Sequence, residues 1–98
     1  MDSASEQPLV AAVGQEIHID LESFPGSGTI WEYRGGTSDT LVFLGETRTK
    51  IDETIGGPVR QSFRFRANRP GSYELLFDLK RPWERETRRS KRILLRAN

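Results

Sequence analysis

Cysteine is absent from this 98-residue chain, so neither a disulfide nor a thiol nucleophile is available to it. The absence does not assign a redox compartment, since such a chain folds equally well inside or outside the cell. Histidine occurs once, at His18, between Glu16 and Asp20 on alternate positions of one strand. One imidazole and two carboxylates so placed read as a solvated strand face, with a metal or acid–base cluster as the rival reading. No grouping of Ser, His and acid has motif context, and Gly56-Gly57-Pro58 lacks the Lys and the following helix of a phosphate loop. The expectation is a protein that is not an enzyme and uses no cofactor or metal. No apolar run approaches the roughly 20 residues that span a membrane, so no membrane association is expected. The opening residues 1–7 are small and polar and lack the apolar centre of a signal peptide.

What is present is one domain's worth of chain, residues 1–98, with 1–7 expected to be a flexible N-terminal arm. Charged residues make up 30% of it, yet the net charge is only +1. Lysine occurs only at Lys50, Lys80 and Lys91, so most cations are Arg, which makes bidentate and stacking contacts that Lys does not. Cations concentrate in residues 85–96, while acidic residues elsewhere offset them, which argues against nucleic acid as a partner. That basic run reads as a solvated hairpin whose charges discourage edge-to-edge strand pairing. The competing reading is a surface for nucleic acid, sulfated glycan or an acidic protein.

Alternation with period 2 dominates the rest. Ile17, Ile19 and Leu21 share one face of residues 16–21, opposite Glu16, His18 and Asp20. Trp31 and Tyr33 oppose Ile30, Glu32 and Arg34; Phe63 and Phe65 oppose Ser62, Arg64 and Arg66; Tyr73, Leu75, Phe77 and Leu79 oppose Glu74, Leu76 and Asp78. Residues 41–44 and 92–97 are short apolar strands, and 9–13 is a weaker one. Gly, Pro, Ser and Asn punctuate these runs at residues 24–28, 35–39, 56–58, 68–72 and 81–82, where Gly permits positive φ and Pro fixes φ. No window carries a 3.6-residue apolar stripe. The expected fold is all-β, an immunoglobulin-like β-sandwich of about seven strands. Trp31 sits on the third strand, where such sandwiches bury an aromatic. Pro70-Gly71-Ser72-Tyr73 reads as the corner before the sixth strand, where a Tyr hydroxyl bonds back to the backbone, and Leu75 takes the place of a disulfide cysteine.

Three of the punctuating segments stand out: Phe24-Pro25-Gly26-Ser27-Gly28 leading to Trp31, Ile55-Gly56-Gly57-Pro58, and Arg81-Pro82-Trp83. Alternate connections of a sandwich gather at one end, so these loops are expected to form one continuous surface suited to contact with another protein. Their order and spacing resemble the chagasin-type inhibitors of papain-like cysteine peptidases, from about Ile17 to Asn98. Pro25, Gly28 and Trp31 match that family's first motif, Gly56 and Gly57 its Gly-rich loop, and Arg81, Pro82 and Trp83 its Arg-Pro-Trp. The first motif departs from the pattern: Phe24 stands where the family has Asn, Gly26 and Ser27 where it has Thr, and Thr29 where it has an aromatic. Losing the Asn removes a side chain that braces the loop, and Gly26 adds freedom whose ordering on binding costs free energy.

The resemblance implies reversible, non-covalent inhibition of papain and cathepsin L-type enzymes by a monomer. Loop one (Pro25, Gly26, Ser27, Gly28) would cover the catalytic thiol, and loop two (Gly56, Gly57) would lie along the substrate groove. Loop three (Arg81, Pro82, Trp83) would pack on the opposite wall. It also implies an exported protein, periplasmic or secreted, whose leader is not in this chain. The alternative is an immunoglobulin-like adhesion or carbohydrate-binding module that uses the same Trp and Arg.

Overall fold

The computed structural model describes residues 8–35 and 39–98. The expected arm at 1–7 and the middle of the expected turn at 35–39 lie outside the described residues. Seven strands run in chain order: β1 (Leu9–Ala11), β2 (Glu16–Ser23), β3 (Ile30–Tyr33), β4 (Leu41–Lys50), β5 (Val59–Ala67), β6 (Gly71–Lys80) and β7 (Arg89–Ala97). They form two sheets, β1-β7-β6-β3 and β2-β5-β4. All pairings are antiparallel except β1 with β7.

Alternation becomes burial directly. Along β2 the pattern is exposed, buried, exposed, buried throughout, with Ile17, Ile19, Leu21 and Ser23 inside. Phe63 and Phe65 of β5, Leu75 and Phe77 of β6, and Leu95 of β7 are almost or wholly inaccessible and hold the sheets together. Tyr33 and Phe43 complete an aromatic cluster with them; the Tyr33 ring meets Phe65 edge-on at 4.8 Å, and Phe63 lies 4.9 Å from Phe77. Desolvation raises the Tyr33 phenol above its ordinary pKa. Truncating one such ring costs about 3–5 kcal/mol. The Tyr73 hydroxyl donates to the Arg69 carbonyl at 2.6 Å, the expected corner, and Leu75 is buried where a disulfide would stand.

Two strands outrun their sequence signal. β4 extends through Glu46–Lys50, a polar stretch paired with β5 from Phe63 to Val59, after the register shifts beside Gly45. As an edge strand bent by a bulge, it keeps neither an apolar face nor an unbroken alternation. β7 starts three residues early because Arg89, Ser90 and Lys91 pair with Leu79, Asp78 and Phe77.

Candidate functional site

The β2–β3, β4–β5 and β6–β7 connections meet at one end of the sandwich. In the first loop a bridge between Phe24 and Thr29 closes the neck, and Pro25–Ser27 makes one 3-10 turn. Proline suits the start of that turn because its fixed φ is already helical and its missing N–H is not needed there. Gly28 ends it at φ 86°, donating to the Pro25 carbonyl at 2.9 Å. The Ser27 hydroxyl donates to the Phe24 carbonyl at 2.9 Å and lies 3.1 Å from the Thr29 hydroxyl. Two hydroxyls thus brace the loop where an Asn was missed, and the Ser27 hydroxyl is engaged within its own turn.

In the second loop Ile51 N–H donates to the Pro58 carbonyl at 3.2 Å, and Asp52 Oδ1 accepts from Thr54 N–H at 2.8 Å. Those hydrogen bonds from Thr54, with Lys50 nearby, hold the Asp52 carboxyl below its ordinary pKa. Gly57 N–H donates to the Thr54 carbonyl at 3.1 Å, and Gly56 adopts φ 73°. The turn leaves Ile55 at the apex, 94% exposed.

The third loop folds back on itself through Glu84 N–H to the Arg81 carbonyl at 2.9 Å and Arg88 N–H to the Leu79 carbonyl at 2.8 Å. Pro82 takes the chain out of the β6 ladder, and Trp83 is 72% exposed rather than continuing the inward parity of Leu79. Arg81 contacts Glu84 at 3.5 Å, and Asp78 is taken by Arg34 at 3.1 Å.

The first loop touches both of the others. Gly26 lies so close to Gly56 that a β-carbon would collide with the Gly56 carbonyl oxygen. The Trp83 indole covers Gly28, where a β-carbon would stand 2.9 Å from its ring. Arg81 Nε donates to the Ser27 carbonyl at 3.2 Å. All nine expected site residues therefore fall on one surface: Pro25, Gly26, Ser27 and Gly28, then Gly56 and Gly57, then Arg81, Pro82 and Trp83. The loops also expose large apolar side chains: Phe24 from the first, Ile51 and Ile55 from the second, and Trp83 from the third.

Ile55 is absent from the nine; an apolar residue flanked by Thr54 and Gly56 carries no alternation and so looks like part of the turn. A second unforeseen residue lies behind the loops. Gln61 is fully buried, accepts from Trp31 N–H at 2.8 Å and donates to the Trp31 carbonyl at 3.0 Å. Its amide also donates to Glu46 at 2.6 Å, and Glu46 accepts from Arg48 at 2.7 Å. Gln61 thus stands in for the strand that β3 lacks on its outer edge and ties the two sheets together under the first loop. The Trp31 indole, itself core, donates to the Glu22 carbonyl at 2.9 Å, which fixes the end of β2. Gln61 shares the inward parity of Phe63 and Phe65, the one sign of its burial in the sequence.

The chemistry of this end is that of contact. It offers apolar area, backbone groups and the guanidinium groups of the third loop, Arg81, Arg85 and Arg88. Among the described residues no His, Cys, Asp or Glu cluster fits a metal ion, and His18 pairs with Glu16 at 2.8 Å on an exposed strand face.

The structure resembles the crystal structure of the cysteine protease inhibitor EhICP2 from Entamoeba histolytica, with a TM-score of 0.70 and 21% identity over 93% of this chain and 88% of that one. At that identity the likeness concerns the fold. No curated protein matches the sequence closely. Residues 10–96 match the family described as chagasin family peptidase inhibitor I42, across the sandwich and all three loops. The chain belongs to the chagasin family of peptidase inhibitors.

Proposed function

We propose that this protein inhibits papain-like cysteine peptidases by seating its three-loop end in the active-site cleft, without a covalent step. Family membership makes it a peptidase inhibitor rather than an enzyme. The observation that carries the finer reading is the mutual packing of the loops: Gly26 on Gly56, Trp83 over Gly28, and Arg81 on the Ser27 carbonyl. Loops that already support one another lose little conformational freedom on binding, which favours tight complexes. Phe24, Ile55 and Trp83 present apolar area from three points, and Trp and Arg are residue types enriched among interface hot spots. The turn at Pro25–Ser27 offers short side chains and a compact backbone, suited to approach a thiol at the bottom of a cleft. The protein acts as a monomer and, in its native setting, outside the cytoplasm.

The test is titration of papain and of a cathepsin L-type peptidase while following hydrolysis of a fluorogenic peptide. Reversible inhibition with a constant of about 1 nM to 100 nM, the inhibitor chain remaining uncut, supports the reading. No inhibition of either enzyme at micromolar concentration contradicts it.

A further inference from the structure

Charge is distributed unevenly about the three-loop end. Residues 81–92 hold six cations, Arg81, Arg85, Arg88, Arg89, Lys91 and Arg92, against two carboxylates, Glu84 and Glu86. The remainder of the chain, with nine cations and twelve carboxylates, is net acidic. Half of the six are engaged: Arg81 and Arg88 each lie 3.5 Å from Glu84, and Arg92 lies 3.0 Å from Glu74. Arg85, Arg89 and Lys91 are exposed and make no ion pair among the described residues.

Their position follows from where the sandwich ends. Arg89 and Lys91 pair with Leu79 and Phe77, so ladder parity aims them at the core. β2 is the last strand of its sheet, and β1 covers only Leu95, Arg96 and Ala97 of β7. The first half of β7 therefore borders an open groove, with Arg89, Lys91 and Arg92 on one wall and Asp20 and Glu22 on the other. Arg85 adds a third unpaired cation two residues from Trp83, on the loop that enters the proposed interface.

We propose that Arg85, Arg89 and Lys91 form an electrostatic docking surface that speeds capture of a peptidase whose cleft rim is acidic on the third-loop side. The proposal rests on the inhibitor reading above and adds the charge of the partner to it. Cations beside an interface act mainly on the encounter: opposite charge raises the association rate by about 10- to 1000-fold at low salt and leaves dissociation to the buried contacts. Glu84 engages Arg81 and Arg88, while Arg85, Arg89 and Lys91 remain exposed beside the third loop and its groove.

The experiment is stopped-flow association with a cathepsin L-type peptidase of negative net charge. It compares the parent protein with the triple variant Arg85→Glu, Arg89→Glu, Lys91→Glu and with the neutral triple Gln variant. Ionic strength is varied from about 0.01 M to about 1 M, over which the Debye length falls from roughly 30 Å to roughly 3 Å. The expected result is an association constant about 10- to 100-fold lower for the Glu variant at low salt, with the Gln variant between. Dissociation stays within about twofold, and the three proteins converge at high salt. Equal association constants at low salt overturn the proposal while inhibition by the parent keeps the inhibitor reading intact. Equal constants with heparin retention lost in the Glu variant also overturn it and assign the patch to polyanions instead. Absence of inhibition by the parent protein overturns both readings. The Gln variant, which introduces no repulsion and keeps the thermal midpoint, guards against a folding defect in the Glu variant.

Discussion

Replacing Gly26 with alanine puts a methyl group where the Gly56 carbonyl oxygen already stands. The obstacle is backbone, not the end of a flexible side chain, so one of the two loops has to move. Overpacking of this kind costs about 1–3 kcal/mol. Where the cost appears depends on which state carries the strain. If the loops stay together in the free protein, the thermal midpoint falls by roughly 4–8 °C per kcal/mol for a domain of this size. If they part, the free protein is relaxed and the strain returns when the cleft forces them together, raising the inhibition constant by about 5- to 150-fold. Differential scanning calorimetry and inhibition titration on the same preparation read both quantities, and the two losses together should amount to about 1–3 kcal/mol. A Gly26→Ala protein with unchanged midpoint and unchanged inhibition would refute the claim that the first two loops are packed as one unit.

Other expectations follow from the same geometry. Trp83→Ala should weaken inhibition by about 2 kcal/mol, roughly thirtyfold, with little change in the melting midpoint, and Ile55→Ser should act in the same direction. Chemical denaturation of Gln61→Leu should show a loss of about 3 kcal/mol, because the Trp31 N–H and carbonyl lose their partner in a buried place. The Asp52 carboxyl, whose folded pKa is depressed, contributes stability that is present above its unfolded value and lost as pH falls through the lower folded one. The Thr54 amide shift should therefore titrate with a midpoint below that of an ordinary aspartate, and a midpoint above it would contradict the Asp52–Thr54 turn.

Much of this was legible in the residues. Ile17, Ile19 and Leu21, or Phe63 and Phe65, announce strands because each strand has one wet face and one dry one. Trp31 and Tyr73 mark the third and sixth strands because their polar atoms need fixed backbone partners. The outer half of β4 was not legible, since an edge strand beyond a bulge buries nothing that would pattern it. Gln61 was hidden by its own polarity: only its parity with Phe63 shows that it points inward, and its partner is backbone thirty residues away. The contact of Gly26 with Gly56 was hidden for a related reason. Glycine in a loop reads as a turn former, and nothing local says that another backbone lies against it. The three motifs identified a surface, but which side chain stands at the apex of each loop depended on turn geometry, and so Ile55 emerged only from the folded chain.

The central claim is that one surface, built from the loops at residues 24–29, 51–58 and 81–88, engages a cysteine peptidase. Amide hydrogen exchange of the protein, free and bound to papain, tests it most directly. Added protection is expected in all three loops and none at the opposite end, around Val13, Gly14 and residues 68–72. Protection confined to one loop, or centred on the outer face of either sheet, would contradict it.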